Sequence, residues 1–371
     1  MPRLPPSLFR HAKRQSPHLA TLLPACHDLE SARNELRWIK DHVDETCKHY
    51  KPRRVEELCR QRGKGVPLQY VLGSQPFGAL DLKCKPGVLI PRPETEAYTF
   101  HLIDLIKSGR LLGSRVDHNK HGLNLIDFCT GTGCIPLLLF SALQRLVKDL
   151  HVHGVDISPC AIQLAEENIA RNLELGNISE PGTEQSLTIS KADIFSNGDI
   201  QRLTGSRWDL LISNPPYISR DVWNHGRGQL GYSVRKYEPR LALIPDNHLP
   251  RPIGCSPEDV FYSRLLDISS LLRPKAILFE IGNESQARRV LQLYFKHGVA
   301  NTSRVEVWRD WPDLEASANE NSSVEVATPN GQSKTVPVRG SGLIRSLLIQ
   351  CSDESDQDDG SISQLHSSCN P

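Results

Sequence analysis

The spacing of apolar residues changes period several times along this 371-residue chain. From Asp28 to about Gly63, Leu29, Ala32, Leu36, Ile39 and Val43 recur every three or four residues with charge between them, which predicts a helix. Pro52 suits the first turn of a second helix through Val55, Leu58 and Cys59. A Gly- and Pro-rich segment, 63–93, carries two short strand-like runs, Gln69–Leu72 and Leu80–Cys84, and ends in Ile90-Pro91-Arg92-Pro93-Glu94-Thr95-Glu96. Proline and charge at that density predict a fixed connector, followed by a helix from Glu94 to about Ile106 and a loop at Ser114–His121.

From Leu123 the pattern alternates. Apolar runs at Leu123–Phe128, His151–Asp156, Ser186–Ser190, Trp208–Ser213 and Ala276–Ile281 are separated by helical patterns at Ile135–Leu150, Pro159–Asn172 and about Glu258–Leu272. Strands that are apolar throughout, alternating with helices, predict an α/β fold with a mostly parallel sheet covered on both faces. Ser303–Trp308 and Gly342–Gln350 complete it as closing strands. Pro312–Gly340, rich in Ser, Asn, Glu and Pro, reads as a disordered insertion (312–340) in a domain spanning 123–350. Segment 351–371 reads as an acidic disordered tail, with Asp353, Glu354, Asp356, Asp358 and Asp359 serving solvation.

Composition narrows the function classes. Lys+Arg number 44 and Asp+Glu 43, so no global basic field marks a nucleic-acid binder. The 10 cysteines form no Cys-x-x-Cys pair and no zinc-type cluster, which predicts a reducing compartment and no metal. No apolar stretch approaches the ~20 residues of a membrane span. Arg3, Arg10, Lys13 and Arg14 precede the first acid, Asp28; residues 1–27 therefore have the composition of a mitochondrial targeting segment, with an ordinary ragged N-terminus as the alternative.

Four constellations carry chemistry. Asp127-Phe128-Cys129-Thr130-Gly131-Thr132-Gly133-Cys134 closes the first parallel strand, where glycines permit a sharp turn and a close approach of backbone to a ligand. Pro136 stands where a dinucleotide fingerprint has its third glycine, and no Gly-Lys-Ser/Thr follows, so a phosphate cradle is disfavoured. Asp156 ends the next strand, 25 residues beyond Gly131, where a carboxylate accepts from both ribose hydroxyls of a nucleoside cofactor; as a lone residue it reads equally as a cap for the helix at Pro159. Asp193 and Ile194 follow the third strand and are expected to meet the adenine, Asp193 at its amino group and Ile194 over its ring.

The most specific is Ser213-Asn214-Pro215-Pro216-Tyr217. Two prolines fix the backbone so that the Pro215 carbonyl is held outward, and the Asn214 side chain offers a second acceptor. Two acceptors aimed at one point suit an NH2 group, and Tyr217 offers a face for a planar group. An amide nitrogen is a poor nucleophile; acceptors on its protons orient it and stabilise the positive charge that develops as a methyl group arrives.

With these motifs, the chain resembles the release-factor glutamine methyltransferases, the HemK-like proteins, from about Val66 to Trp308. Pro67-Leu68-Gln69-Tyr70-Val71-Leu72-Gly73, Leu89 to Glu96, Asp127 to Cys134, Asp156, Asn214 to Tyr217, Tyr237-Glu238-Pro239 and Phe279-Glu280-Ile281-Gly282 carry the likeness. The helical unit and the targeting-like start are similar to the mitochondrial branch. The resemblance implies a Rossmann-like class I methyltransferase sheet behind a small helical substrate-recognition domain (28–75) and a connector with a lead-in helix (76–122). It implies S-adenosylmethionine held by Cys129, Thr130, Gly131, Thr132, Gly133, Asp156, Asp193, Ile194 and Asn214. The acceptor would be the glutamine of a Gly-Gly-Gln motif in a peptide-chain release factor, bound by Asn214, Pro215, Pro216 and Tyr217, with Asn214, Pro215 and Tyr217 catalytic and Arg92, Glu94 and Glu96 bracing the site wall. A monomer with no nucleic-acid or membrane partner is expected. Ile244–Glu258, longer and Pro-rich, replaces the family's usual Gly-rich stretch. The alternative is a nucleic-acid enzyme acting on an exocyclic amine, adenine N6 or guanine N2, with a flipped base in place of the amide.

Overall fold

The computed structural model describes residues 4–112, 122–226, 230–328 and 330–351. The N-terminal unit comprises α1 (Pro6–Gln15), α2 (Pro17–Cys26), α3 (Leu29–Thr46), α4 (Lys51–Gly63) and the short α5 (Leu68–Leu72). Ala32, Leu36, Ile39 and Val43 of α3 are buried against Leu22 and Leu23 of α2 and Leu58 and Cys59 of α4. Asp28 caps α3, its Oδ1 accepting from the Ser31 amide at 2.7 Å.

Two expectations change here. Residues 6–26, read as part of a separate targeting segment, are two helices whose Ala12, Leu19, Leu22 and Leu23 lie in the core of this unit. Its folded boundary is therefore Pro6, not Asp28. The acid-free composition is compatible with helix because Lys13 and Arg14 fall in the last turn of α1, beside the negative end of its dipole. Gln69–Leu72, read as a strand, lies in α5, where Pro67 precedes the first turn and Gly73 ends it in the left-handed region (φ 82°).

The connector forms a hairpin, β1 (Ser74–Phe77) and β2 (Leu80–Lys83), then α6 (Pro93–Lys107). The alternating units follow: β3 (Leu123–Phe128), α7 (Cys134–Leu143), β4 (Leu150–Asp156), α8 (Pro159–Glu174), β5 (Gln185–Lys191), α9 (Asn197–Leu203) and β6 (Leu210–Ser213). The run read as one helix over Ile135–Leu150 divides, because Leu150 already pairs with Leu123 in the sheet. Two short helices, α10 (Arg220–His225) and α11 (Tyr232–Tyr237), precede α12 (Val260–Leu272), β7 (Ala276–Glu280), α13 (Glu284–Lys296) and β8 (Ser303–Trp311). The hairpin β9 (Ser323–Ala327) and β10 (Ser333–Arg339) and the long β11 (Ser341–Cys351) end the fold.

The nine-stranded sheet runs β5-β4-β3-β6-β7-β11-β8-β10-β9. β3 to β7 run parallel to one another, and β11 is antiparallel to both β7 and β8. One face is covered by α6 and α7 through Leu102, Ile106, Leu137 and Phe140; the other by α12 and α13 through Tyr262, Leu266 and Leu291. This is the three-layer α/β arrangement expected. The sheet starts at its centre, β3, and winds outward first one way and then, from β6, the other. A crevice therefore opens beyond the carboxyl ends of β3 and β6. The hairpin is fixed beside it: Asn168 and Asn172 of α8 accept from the amides of Lys83 (2.7 Å) and Asp81 (3.0 Å).

The segment 312–340, read as disordered, contains β9 and β10. Val324, Val326 and Val336 are buried beneath α13, and their period-two spacing is the strand signal that the surrounding Ser, Asn and Glu obscured. The expected loop at Ser114–His121 and the acidic tail from Ser352 lie outside the described residues. Among the described residues no helix is long and apolar enough to cross a membrane, and no group of three His, Cys, Asp or Glu is placed to hold a metal ion.

Candidate active site

A cleft opens at the carboxyl ends of β3, β4 and β6. Its floor is the turn after β3. Cys129, Gly131 and Gly133 take positive φ values of 62°, 57° and 76°, alternating with Thr130 and Thr132. Left-handed backbone suits the two glycines; at Cys129 it stores strain of the order of 1–2 kcal/mol that the surrounding turn holds in place. The Thr130 amide donates to the Val155 carbonyl at 3.1 Å, tying the turn to β4. The Gly131 amide donates to Asp156 Oδ2 and the Ser158 amide to Asp156 Oδ1, each at 2.9 Å. Asp156 is thus oriented by two backbone donors at the cleft wall, and burial raises its pKa.

Cys129, Thr130, Gly131, Thr132, Asp156, Asn214 and Pro216 all line this one cleft. Gly133 caps α7 just behind it. Pro215 and Tyr217 are not part of the lining. Neither are Asp193 and Ile194, the pair expected at the adenine. Asp193 Oδ1 instead accepts from the Phe195 amide at 2.9 Å, an Asx-type turn, and Ile194 is buried. Apolar faces in the cleft come from Ile157 and Phe261, which the sequence reading did not pick. Ile157 directly follows Asp156, which is a local signal; Phe261 begins a helix remote in sequence and gave none.

The connector is the opposite wall. Val88 to Arg92 line the cleft. Tyr70 donates its hydroxyl to the Val88 carbonyl and Gln75 its amide to the Pro91 carbonyl, both at 2.9 Å. Arg92 Nη2 donates to both oxygens of the buried Glu238, at 2.8 and 2.9 Å, and Glu238 Oε2 also accepts from the Ile90 amide at 3.1 Å. Arg92 therefore braces the wall as expected. In the neighbouring Pro-Glu-Thr-Glu run it is Thr95 that reaches the core, donating to Glu280 Oε2 at 2.7 Å.

Asn214 follows β6, whose Ser213 hydroxyl donates to the Phe128 carbonyl at 2.9 Å and locks the ends of β3 and β6 together. Tyr217 donates its hydroxyl to Glu280 Oε1 at 3.0 Å, and its ring packs on Gly282, where a Cβ would fall 3.1 Å from a ring carbon. Burial and the Glu280 charge keep this phenol protonated.

Behind the turn, Asp127 is 1% exposed and neither of its oxygens is hydrogen-bonded; the Thr130 hydroxyl is also unpartnered. Burial pushes the Asp127 carboxyl up to about 8. Buried polar atoms without partners are rare. A carboxyl and a hydroxyl so placed fit a ligand that brings hydrogen-bond donors and positive charge, and S-adenosylmethionine, with its ammonium, sulfonium and ribose hydroxyls, is such a ligand.

Fold order, glycine turn and the acid ending the second strand define an S-adenosylmethionine-dependent methyltransferase. No family model matches the chain. It is 38% identical to the mitochondrial MRF1 N(5)-glutamine methyltransferase MTQ1 of Saccharomyces cerevisiae over 244 residues, 66% of this chain and 68% of the yeast protein. It is 31% identical to the probable MRF1 mitochondrial N(5)-glutamine methyltransferase of Schizosaccharomyces pombe, covering 76% of this chain and 86% of that one. It is 30% identical to the release factor glutamine methyltransferase of Bacteroides thetaiotaomicron, covering 68% of this chain and 75% of that one. The chain belongs to the release factor glutamine methyltransferase family. Among solved structures, the catalytic domain of hMettl16 with an RNA hairpin is a loose match, 15% identical over 94% of this chain and 92% of that one with a TM-score of 0.41.

Proposed function

We propose that this protein methylates the side-chain amide nitrogen of the glutamine in a Gly-Gly-Gln motif of a peptide-chain release factor. The observation that carries the reading is that Asn214 and Pro216 open into the same cleft as the glycine turn and Asp156. S-adenosylmethionine, when bound, supplies a methyl group on a sulfonium that is already a good leaving group. The turn Cys129–Gly133 and Asp156 hold the nucleoside end, with Ile157 and Phe261 as apolar faces. Asp193 and Ile194, which do not line the cleft, shape the loop beside it. Asn214 Oδ1 and the Pro215 carbonyl accept the two amide protons, which aims the nitrogen lone pair along the transfer line and stabilises the charge that develops there. No base is needed before attack, because the proton leaves afterwards. Tyr217 and Pro216 confine the planar amide. Asp156 at the cleft wall accepts from the cofactor's hydroxyls, and Asp127 behind the turn is a carboxyl that a cationic cofactor would favour in its ionised form.

The test is transfer of labelled methyl to a mitochondrial-type release factor and, in parallel, to mixed DNA and RNA. Label on the release factor that disappears when its Gly-Gly-Gln glutamine is changed to alanine supports the proposal. Label on nucleic acid alone would replace the amide with an exocyclic amine. The protein is further proposed to act as a monomer in mitochondria, a location supported by the names of the two yeast relatives. Fractionation of cells making a C-terminally tagged chain checks the location; a purely cytosolic signal refutes it.

A further inference from the structure

Glu280 is a buried acid to which no role has yet been assigned. It ends β7, is 1% exposed, and its two oxygens accept from hydroxyls of two distant segments, Thr95 at 2.7 Å and Tyr217 at 3.0 Å. Arg345, the cation that acts on it, is itself paired with Asp310 at 2.8 Å. Gln286, also buried, closes the same cluster. Its Nε2 donates to the Tyr217 carbonyl at 3.3 Å and to Asp259 at 2.9 Å, and its Oε1 accepts from the Gly282 amide at 2.8 Å. A buried carboxyl whose hydrogen bonds come from hydroxyls, with its nearest cation already paired elsewhere, is a poor device for stability, since an apolar side chain of similar size would cost less to bury. What it does supply is direction: a hydroxyl that must reach one oxygen fixes the ring that carries it.

We infer that Glu280 is a positioning residue for the methyl acceptor, holding the Tyr217 ring, and through it the Asn214–Tyr217 turn, in the plane that receives the amide. The inference rests on the roles proposed above for Asn214 and Tyr217. Thr95 sets the carboxylate from the connector, so the connector wall and the acceptor turn share one brace.

Glu280→Leu removes both acceptors at similar volume, whereas Glu280→Gln keeps one oxygen and lets a hydroxyl rotate to accept from the new amide. Glu280→Leu is expected to lower kcat on the release-factor substrate about 10- to 100-fold, a loss of the size that follows misplacement of a reacting group. Its calorimetric Kd for S-adenosylmethionine should stay within about twofold, and Glu280→Gln should recover most of the rate. Tyr217→Phe should be as slow as Glu280→Leu, and the double variant no slower than either. An equal further loss on the Tyr217→Phe background overturns the inference, because Glu280 would then act without that hydroxyl. Should Glu280→Leu not fold, the Glu280→Gln and Tyr217→Phe cycle makes the same comparison with smaller losses. A readout independent of substrate is the ring-flip rate of Tyr217, from nuclear magnetic resonance of ring-labelled tyrosine. It should rise at least about tenfold in Tyr217's partner-free state, Glu280→Leu. An unchanged rate overturns the brace even if turnover falls. Turnover retained in Asn214→Ala with the ring effect present would sink the proposed acceptor site while leaving the brace standing.

Discussion

The two halves of the active site are built by different means. On the cofactor side the contacts are short-range and run through backbone: the Gly131 amide reaches Asp156 across 25 positions and the Ser158 amide across 2. On the acceptor side they are long-range and run through side chains. Tyr217 reaches Glu280 across 63 positions, Arg92 reaches Glu238 across 146 and Thr95 reaches Glu280 across 185. A turn made of backbone needs only glycines at the right places and one acid. A rigid acceptor turn must be braced from elsewhere, because two prolines fix its dihedrals but do not fix where it sits.

This contrast can be broken with one pair of variants. Asn214→Ala should lower kcat by about 100-fold or more, by analogy with the loss of a transition-state hydrogen-bond partner, while the Kd for S-adenosylmethionine stays nearly unchanged. Asp156→Ala should do the reverse. It should weaken cofactor binding by about 10- to 100-fold, the worth of hydrogen bonds to a charged group, and affect kcat at saturating cofactor much less. Single-turnover rates and titration calorimetry on both variants check it. If Asn214→Ala weakened the cofactor as much as Asp156→Ala, the division into two halves would be wrong.

The same contrast explains what the sequence made legible. The alternating apolar runs gave the parallel sheet because a strand buried on both faces leaves a continuous signal, and the glycine turn, Asp156 and Asn214-Pro215-Pro216-Tyr217 were visible because each is contiguous. Glu238 and Glu280 stood out only inside the runs that carry the family resemblance, with nothing to show what they bind, and Gln286 carries no local signal. An acid in a polar loop and an acid ending a strand look alike until the chain closes, and only then are these two buried, at 6% and 1% exposure. Asp193 and Ile194 show the complementary case: they form a contiguous pattern that lies outside the cleft lining, and an aspartate oxygen is also used by its own loop, accepting from the Phe195 amide. Residues 6–26 were read from charge composition alone, although Leu19, Leu22 and Leu23 carry the three- and four-residue spacing of a buried helical face. The β9–β10 hairpin was misjudged because two short valine alternations sit among residues typical of disorder.

The last expected effect is on stability rather than on turnover and concerns Asp127, which lies behind the cofactor half and makes no hydrogen bond of its own. Burial raises its pKa in the folded chain to about 8 from the ordinary carboxyl value of 3.8. For an acid shifted upward, the stabilising contribution is complete below the unfolded value and is lost as pH rises through the folded one. Between about pH 4 and pH 8 the folded state therefore holds a proton that the unfolded state has released, and stability falls with rising pH by at most about 1.4 kcal/mol per unit. Asp127→Asn removes this slope and substitutes a fixed cost of burying an amide. In cofactor-free protein, the wild-type melting temperature should decline relative to Asp127→Asn between pH 5 and pH 8; Asp156, raised in the same direction, acts equally in both and cancels. Saturating S-adenosylmethionine should flatten the wild-type profile, because a cationic ligand favours the ionised carboxyl and its binding then releases a proton. Parallel melting profiles without cofactor would mean that Asp127 is already satisfied in the folded chain. The cofactor half would then be as self-contained as its backbone contacts suggest, with no charge held in reserve for the ligand.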